Sequence, residues 1–368
     1  MALKILVGGY TSIITALLYT PNGSGTAGSL SLLSQSNAGT NPSWLALNPS
    51  NNSILYANQE TWGGQIWSFT IDPATAALTK KSSGPTGGNN PAHFGVLFGG
   101  NEIVAANYDG ASTTDIILGT DRTTFSSSTG PMVTYTGSGP NTSRQTVPHP
   151  HQVIEYLIDQ ELLINDLGSD KTWRLSRSSS GAWQNSGSIQ HPAGSGPRHG
   201  VVLNGNLYTV HELSNTLTQH TIPVLNSGSS SQLVATLPVI PPGASNSTLA
   251  AAELLLSPKN CMYPTQYLYA TNRGDTDPNG DTIAVFSLNP LQLVGHVRTG
   301  LKQIRGAALG GPNGEYLVAG GQSDGGVVLY RRTSGGASLT ELARYSSVNQ
   351  PTSFVVLPTG EEPSLCSS

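Results

Sequence analysis

The feature that most restricts what this chain can fold into is an internal repeat of a two-strand unit. Six copies can be read directly: "NPSWLALNPSNNSILYANQE" from Asn41, "NPAHFGVLFGGNEIVAANYDG" from Asn90, "HPHQVIEYLIDQELLINDLGSD" from His149, "GPRHGVVLNGNLYTVHELSN" from Gly196, "AAELLLSPKNCMYPTQYLYATNRGD" from Ala251 and "IRGAALGGPNGEYLVAGGQSD" from Ile304. A seventh is divided between the chain ends, with "QPTSFVVLP" from Gln350 and "LKILVGGYTS" from Leu3. If Pro42, Pro91, Pro150, Pro197, Ala251, Arg305 and Pro351 are equivalent, the intervals are 49, 59, 47, 54, 54 and 46 residues. A four-stranded blade needs about that length. A blade shared by the two termini pairs the last strand with the first, closes a ring and leaves no long unpaired edge. An open solenoid would show complete repeats with polar caps instead. The expectation is one all-β domain over residues 1–368, a seven-bladed β-propeller with approximate blades at 40–89, 90–147, 148–195, 196–248, 249–303 and 304–349, and a last one joining 350–358 to 1–39.

Composition agrees with many short strands and turns, since 43 Gly and 24 Pro are spread along the whole chain. It also narrows the partners. A net charge of −4 with only 17 Lys plus Arg and no basic cluster gives a phosphate backbone little to bind, so nucleic acid is not expected. No apolar run approaches the roughly 20 residues that span a bilayer. Charged residues are 10% of the chain, with Ser, Thr and Asn in their place, a balance common in secreted proteins. Sequons at Asn22, Asn51, Asn141 and Asn246, and a Cys261–Cys366 disulfide tying the tail to a loop, fit a secretory-pathway glycoprotein whose leader is absent here; a cytoplasmic protein with two thiols is the alternative.

In each blade the start of the first strand and the end of the second share one edge of an antiparallel hairpin, so both sets of residues face one mouth of the channel. The first set holds Trp44, His93, His151, Arg198, His199 and Glu253, and the second Asn58, Asn107, Asn165, Glu212, Arg273 and Gly320. His151, Arg198, Glu212 and Arg273 stand out as the candidate catalytic group. Two guanidiniums can grip a carboxylate, an enolate or a polarised carbonyl, the glutamate can position one of them or move a proton, and the imidazole can act as acid or base. Each alone reads as a buried structural ion pair; four together on three successive blades read as a site. His149, His199 and His211, with Tyr108, Trp62 and Tyr10 at strand ends, are candidate substrate contacts.

At these residues the chain resembles the propeller family that includes fungal carboxy-cis,cis-muconate cyclases and bacterial 6-phosphogluconolactonases. The matching segments are "HPHQV" at His149, "GPRH" at Gly196, "VHELSN" at Val210 and "TNRGD" at Thr271, in order along three successive blades. The resemblance implies a catalytic His, two Arg and a Glu at His151, Arg198, Glu212 and Arg273, with His149 as an alternative to His151, and no metal or other cofactor.

Competing chemistry fits less well. A metal centre would have to be assembled from His149, His151, His199 and Glu212. The string at 321–325 matches G-x-S-x-G but closes a β-hairpin, where a nucleophile elbow needs a strand–turn–helix. No nucleotide-binding fingerprint is present. With a small molecule as the expected partner, three readings share the pocket: a ring-forming enzyme acting on a conjugated carbonyl compound, of the hetero-Diels–Alder type known among fungal relatives; a carboxymuconate cycloisomerase or lactone hydrolase; and a non-catalytic binding propeller. The secretory-like composition places the ring-forming enzyme of specialised metabolism first.

Overall fold

The computed structural model describes residues 2–360 apart from 24, 158–159 and 245–247, and leaves aside the side chains of 127–129. Among the described residues, seven four-stranded antiparallel sheets account for almost all regular structure, and a single 3-10 turn at Ser334–Gly336 is the only helical element. The expected all-β, seven-bladed propeller is therefore what forms. In the shared blade, Pro351–Val356 is the innermost strand and pairs with Leu3–Gly9, which pairs in turn with Ile13–Pro21 and that strand with Gly28–Asn37.

Packing seals this closure on both sides. Leu3, Ile5, Val7 and Phe354 pack with Val318, Val327 and Leu329 of the preceding blade, while Leu6, Ile14 and Ala16 pack with Leu45, Leu55 and Phe69 of the following one. Strand alternation sends successive side chains to opposite faces, so every inner blade buries apolar residues on both faces. Full burial of each large aliphatic or aromatic side chain contributes about 1.5–3 kcal/mol. The turn at 322–325 joins Tyr316–Gly321 to Gly326–Thr333, so the G-x-S-x-G string is a hairpin turn here as well.

Two repeated local devices position the channel residues. The residue before the inner strand is left-handed in several blades, at Asn41, Asn90, Gly196, Gln303 and Gln350, which turns the chain sharply from the outer edge back to the axis. Four of these precede a proline whose φ is fixed for the strand start. Next comes a register shift. Pro91 pairs with Asn107 and His93 with Ala106; Pro150 with Asp166 and Gln152 with Asn165; Pro197 with His211 and His199 with Val210. One extra residue on the inner strand is left over each time, namely Ala92, His151 and Arg198. The same happens at Thr352, between Pro351 opposite Gly9 and Ser353 opposite Gly8. A bulge re-aims the side chain of its extra residue, and all four of these side chains line the central cavity. At the equivalent place in the sixth repeat, only Gly306 fits, because a Cβ there would run into the carbonyl oxygen of Thr352.

The asparagines that end the second strands serve the scaffold. Asn58 accepts from the Trp44 amide (2.7 Å) and donates to the Ser43 hydroxyl (2.9 Å) and the Pro91 carbonyl (2.5 Å), which ties two blades together. Asn165 accepts from Thr172 Oγ1 and Asn272 from the Thr282 amide, so these two brace the second strand against the third.

Candidate functional site

The central cavity has a volume of about 310 Å3, including its opening to solvent, and is walled by Tyr10, Glu60, His151, Arg198, Arg305 and Thr352 with Ser43 and Ala92 between them. Its floor is aromatic. His199 lies edge-on to Trp44, His93 and His151, with ring centroids 5.4, 5.6 and 5.2 Å apart, and Trp44 lies 4.3 Å from His93, so residues of four blades meet across the axis and plug it.

One carboxylate organises the guanidiniums. Glu212 Oε2 accepts from Arg198 Nε (3.0 Å) and Arg273 Nη2 (2.7 Å), and Oε1 accepts from Arg144 Nη2 (2.7 Å). Burial alone would raise the Glu212 pKa, but Arg273, Arg198 and Arg144 outweigh it and hold the carboxyl well below the usual carboxylate range. It is an ionised clamp. Arg198 also donates to the Ala252 carbonyl (2.8 Å), and Arg273, with its pKa brought down to about 10 by burial despite Glu212, reaches the carbonyls of Ala250 and Ala251.

Arg305 is different. Among the described residues it makes no ion pair; the Tyr10 ring lies 5.3 Å from its guanidinium carbon. Burial works against its charge, but the Tyr10, Glu212 and Glu60 side chains more than compensate and raise its pKa. The cavity wall therefore carries one guanidinium locked to a counter-ion and one whose donors are uncommitted. Glu60 opposes it, with its pKa raised by burial and its carboxylate accepting from the hydroxyls of Ser43 and Tyr10 (3.2 Å from Tyr10).

Of the residues expected from sequence, His151 and Arg198 line the cavity, while Glu212 and Arg273 stand behind Arg198 and join it through the carboxylate. Tyr10 and His199 also line the cavity. Tyr108 and His149 form a stacked pair (4.3 Å) beside His151, with His149 Nδ1 3.0 Å from the Tyr108 carbonyl oxygen and the Tyr108 hydroxyl 3.3 Å from Arg144. Two expectations fail. His211 precedes Glu212 and alternation turns it away from the axis, where Nε2 meets His191 (3.0 Å) and Nδ1 meets Thr216 (3.0 Å). Trp62 sits in the loop beyond its strand, 79% exposed and off the cavity wall.

Glu60 and Arg305 are members of this site that sequence reasoning missed. Glu60 has a positional signal: Tyr10, Glu60, Tyr108 and Glu212 each come directly after a second strand, ending at Gly9, Gln59, Asn107 and His211. Arg305 stands at an aligned strand start, where the other repeats carry Pro or Ala.

The imidazoles are neutral. Burial first, then Arg198, pushes His151 well below its ordinary value, and the same two causes act on His199. His151 Nδ1 and His199 Nε2 are buried without hydrogen-bond partners, while His199 Nδ1 lies 2.7 Å from Glu253 Oε1. No group of three or more His, Cys, Asp or Glu among the described residues is arranged to hold a metal ion, and Glu212 is fully engaged by arginines. No helix there is long and apolar enough to cross a membrane. Cys366 and Asn246, and with them the expected disulfide and one sequon, lie outside the described residues.

A seven-sheet ring with a narrow arginine-lined cavity at its axis is the frame of a small-molecule propeller enzyme or binding protein. The chain belongs to the seven-bladed β-propeller lactonase family, whose model matches residues 4–356. It is 29% identical over 341 residues to a 6-phosphogluconolactonase of Formosa agariphila, spanning 89% of this chain and 92% of that one, and 28% identical over 322 residues to the 6-phosphogluconolactonase of Bacillus subtilis, spanning 84% and 86%. Among solved structures it superimposes on a periplasmic gluconolactonase of Pseudomonas aeruginosa with a TM-score of 0.81 at 20% identity, covering 97% of this chain and 99% of that one, a likeness of fold.

Proposed function

We propose that the central cavity hydrolyses a lactone, opening its ring with water. The observation that carries this reading is the uncommitted guanidinium of Arg305 facing the cavity beside the clamped Arg198 and the neutral His151. In ring opening, negative charge develops on the carbonyl oxygen as water adds. Donors already fixed in a dry site stabilise that charge without reorganising, each contributing about 2.7–4 kcal/mol. Arg198 is fixed by Glu212 and is suited to this role; Arg305 is suited to an anionic substituent or to the same oxygen. Arg273 and Arg144 act through Glu212 by holding it, and thereby Arg198, in place. His151 is suited to orient the water or the ring oxygen by hydrogen bonding.

The relatives are lactonases, which supports hydrolysis more than ring formation, so the ring-forming reading stands second. It would use the same cavity, with Arg198 donating to an enone carbonyl, whereas Arg273 lies behind Glu212 and off the wall. Purified protein, with EDTA present, is to be assayed by proton release against gluconolactone and its 6-phosphate, and by product analysis against carboxymuconate and against a quinone-methide precursor with a polyene. Hydrolysis of a lactone well above the buffer rate is expected. Turnover of only the last two would overturn ring opening, and tight ligand retention without product from any would favour the binding propeller. A secretory location is part of the proposal, supported by the exposed sequon asparagines Asn22 and Asn51. Glycan analysis of protein from its natural source tests it.

A further inference from the structure

We propose that the His199–Glu253 pair is the proton-accepting unit of this ring opening, with His199 touching the attacking water and Glu253 acting through it. The inference rests on the lactonase reading and assigns the step that reading leaves open. Water adding to a carbonyl must lose a proton, and a positioned base typically accelerates that loss by about 100- to 10,000-fold.

The geometry singles out this pair. His199 and Glu253 come from adjacent inner strands, Pro197–Leu203 and Ala250–Leu256, and meet with Nδ1 and Oε1 2.7 Å apart. Both are buried, at 2% and 3% exposure. His199 lines the cavity, and its Nε2, on the ring edge away from Glu253, has no partner. Glu253 Oε2 is also without a partner, and Oε1 accepts only from His199 and from the Leu254 amide (3.0 Å). A buried carboxylate this poorly paired costs stability that apolar packing would avoid. Backing an imidazole that belongs to the cavity lining is the use that the arrangement fits.

Charge explains why a carboxylate is needed there. Arg198, Arg273 and Arg305 all oppose an imidazolium at His199, and Glu212, committed to Arg198, Arg273 and Arg144, offsets them only in part. His93 and His151, the other titratable groups against the ring, are themselves held neutral by burial. His199 is therefore a poor place for a proton to stay. A carboxylate at Nδ1 removes the difficulty. Water gives a proton to Nε2 as its oxygen bonds the carbonyl carbon, the Nδ1 proton passes to Glu253 Oε1, and the carbonyl π pair moves onto oxygen facing the guanidiniums. Collapse re-forms the C=O bond and breaks the ring C–O bond. The ring oxygen takes the proton back from Nε2 while Glu253 returns its own to Nδ1. Lactone and water become a hydroxy acid, and His199 does not have to hold a lasting charge. The Glu253 pKa is raised by burial to about 8, within reach of such an exchange. His151 is less suited because no carboxylate backs its ring, and Glu60 because two hydroxyls already occupy its oxygens.

The test uses Glu253→Gln, which keeps a hydrogen bond to Nδ1 but cannot take a proton, and Glu60→Gln beside it. The probe is gluconolactone or its 6-phosphate, whichever the wild type opens. For the wild type, kcat should rise with pH along an acidic limb as Glu253 loses its proton. In Glu253→Gln we expect kcat at least about 100-fold lower with KM within about threefold, the acidic limb gone, and melting close to wild type. An acidic limb that survives in Glu253→Gln, or that vanishes in Glu60→Gln instead, overturns the proposal. So does a flat wild-type profile between about pH 5 and 9, a measurement that needs no variant to fold. If the wild type opens no lactone at all, it is the lactonase reading that has failed, and the proposal falls with it.

Discussion

Two groups of buried charge in this molecule look alike in a list of contacts and differ in what they leave over. On the blade at 148–195, Arg174 and Glu161 form a two-pronged pair between neighbouring strands, Nε to Oε1 at 2.5 Å and Nη2 to Oε2 at 3.0 Å, with both side chains almost wholly buried. Each charge there has one partner and both carboxylate oxygens are used. At the axis, three guanidiniums share the single carboxylate of Glu212, a fourth has none, and a second carboxylate, Glu253, has an oxygen with no donor. The first group is a closed account of charge and the second an open one. A closed pair holds strands together; an open cluster keeps hydrogen-bonding capacity that a substrate can use.

The largest expected effect falls on Glu212, which belongs to both kinds. Glu212→Gln removes the counter-charge of three arginines at once, and breaking a buried pair in this way costs about 3–5 kcal/mol. Denaturation should show that loss, and Arg198, no longer fixed, should lose most of its catalytic value, so stability and kcat/KM fall together. Retained stability would mean that the arginines find other partners and that the clamp is not the organising element. Arg174→Ala is expected to cost a similar 3–5 kcal/mol by stranding Glu161, yet to leave kcat/KM per folded molecule unchanged. A drop in kcat/KM at full folding would break the division between the two groups. Arg305→Ala should do the reverse. Losing one fixed donor typically lowers the rate by about 100- to 1,000-fold, while melting changes little, since no ion pair is lost and the repulsion with Arg198 and Arg273 that is relieved offsets the attraction to Glu212 and Glu60 that is lost. Equal losses of activity and stability would show that Arg305 is structural.

The same contrast explains what could be read from the sequence. Seven repeats were legible because inner strands are apolar and are punctuated by turn residues, and because Pro at 42, 91, 150, 197 and 351 marks the same corner. His151, Arg198, Glu212 and Arg273 were legible as charges in an otherwise neutral chain. What a linear reading could not supply is the one-residue slip at each bulge, where period two breaks. Counting back from the strand ends puts Asn58 at the axis where Glu60 belongs and sets His211 in the cavity, although alternation turns it away and directs its neighbour Glu212 to Arg198. Trp62 failed for another reason: its position beyond the strand end depends on a loop path that no periodicity encodes. Arg305 carries the signal that would have found it. It is the one charged residue among the seven aligned strand starts.

The smallest effect expected here comes from a third group that is neither closed nor at the axis. Asp115 is buried on the blade at 90–147 beside Glu102, whose oxygens are taken by Arg177 (2.6 Å) and Trp183 (2.5 Å). Burial first, and then Glu102, raise the Asp115 pKa from 3.8 to about 7. Between those values the folded chain holds a proton that the unfolded chain has released, so this residue's contribution to stability falls as pH rises from about 4 to about 7 and stays low above that. Asp115→Asn mimics the protonated form at every pH. It should therefore melt close to wild type near pH 4 and above it at pH 8, by about 2 °C for a modest change in stability. A gap of the same size at both pH values would show that Asp115 does not titrate in this window. In that case the charge of Arg177 is enough for both carboxylates, and this cluster is as closed as Arg174 with Glu161.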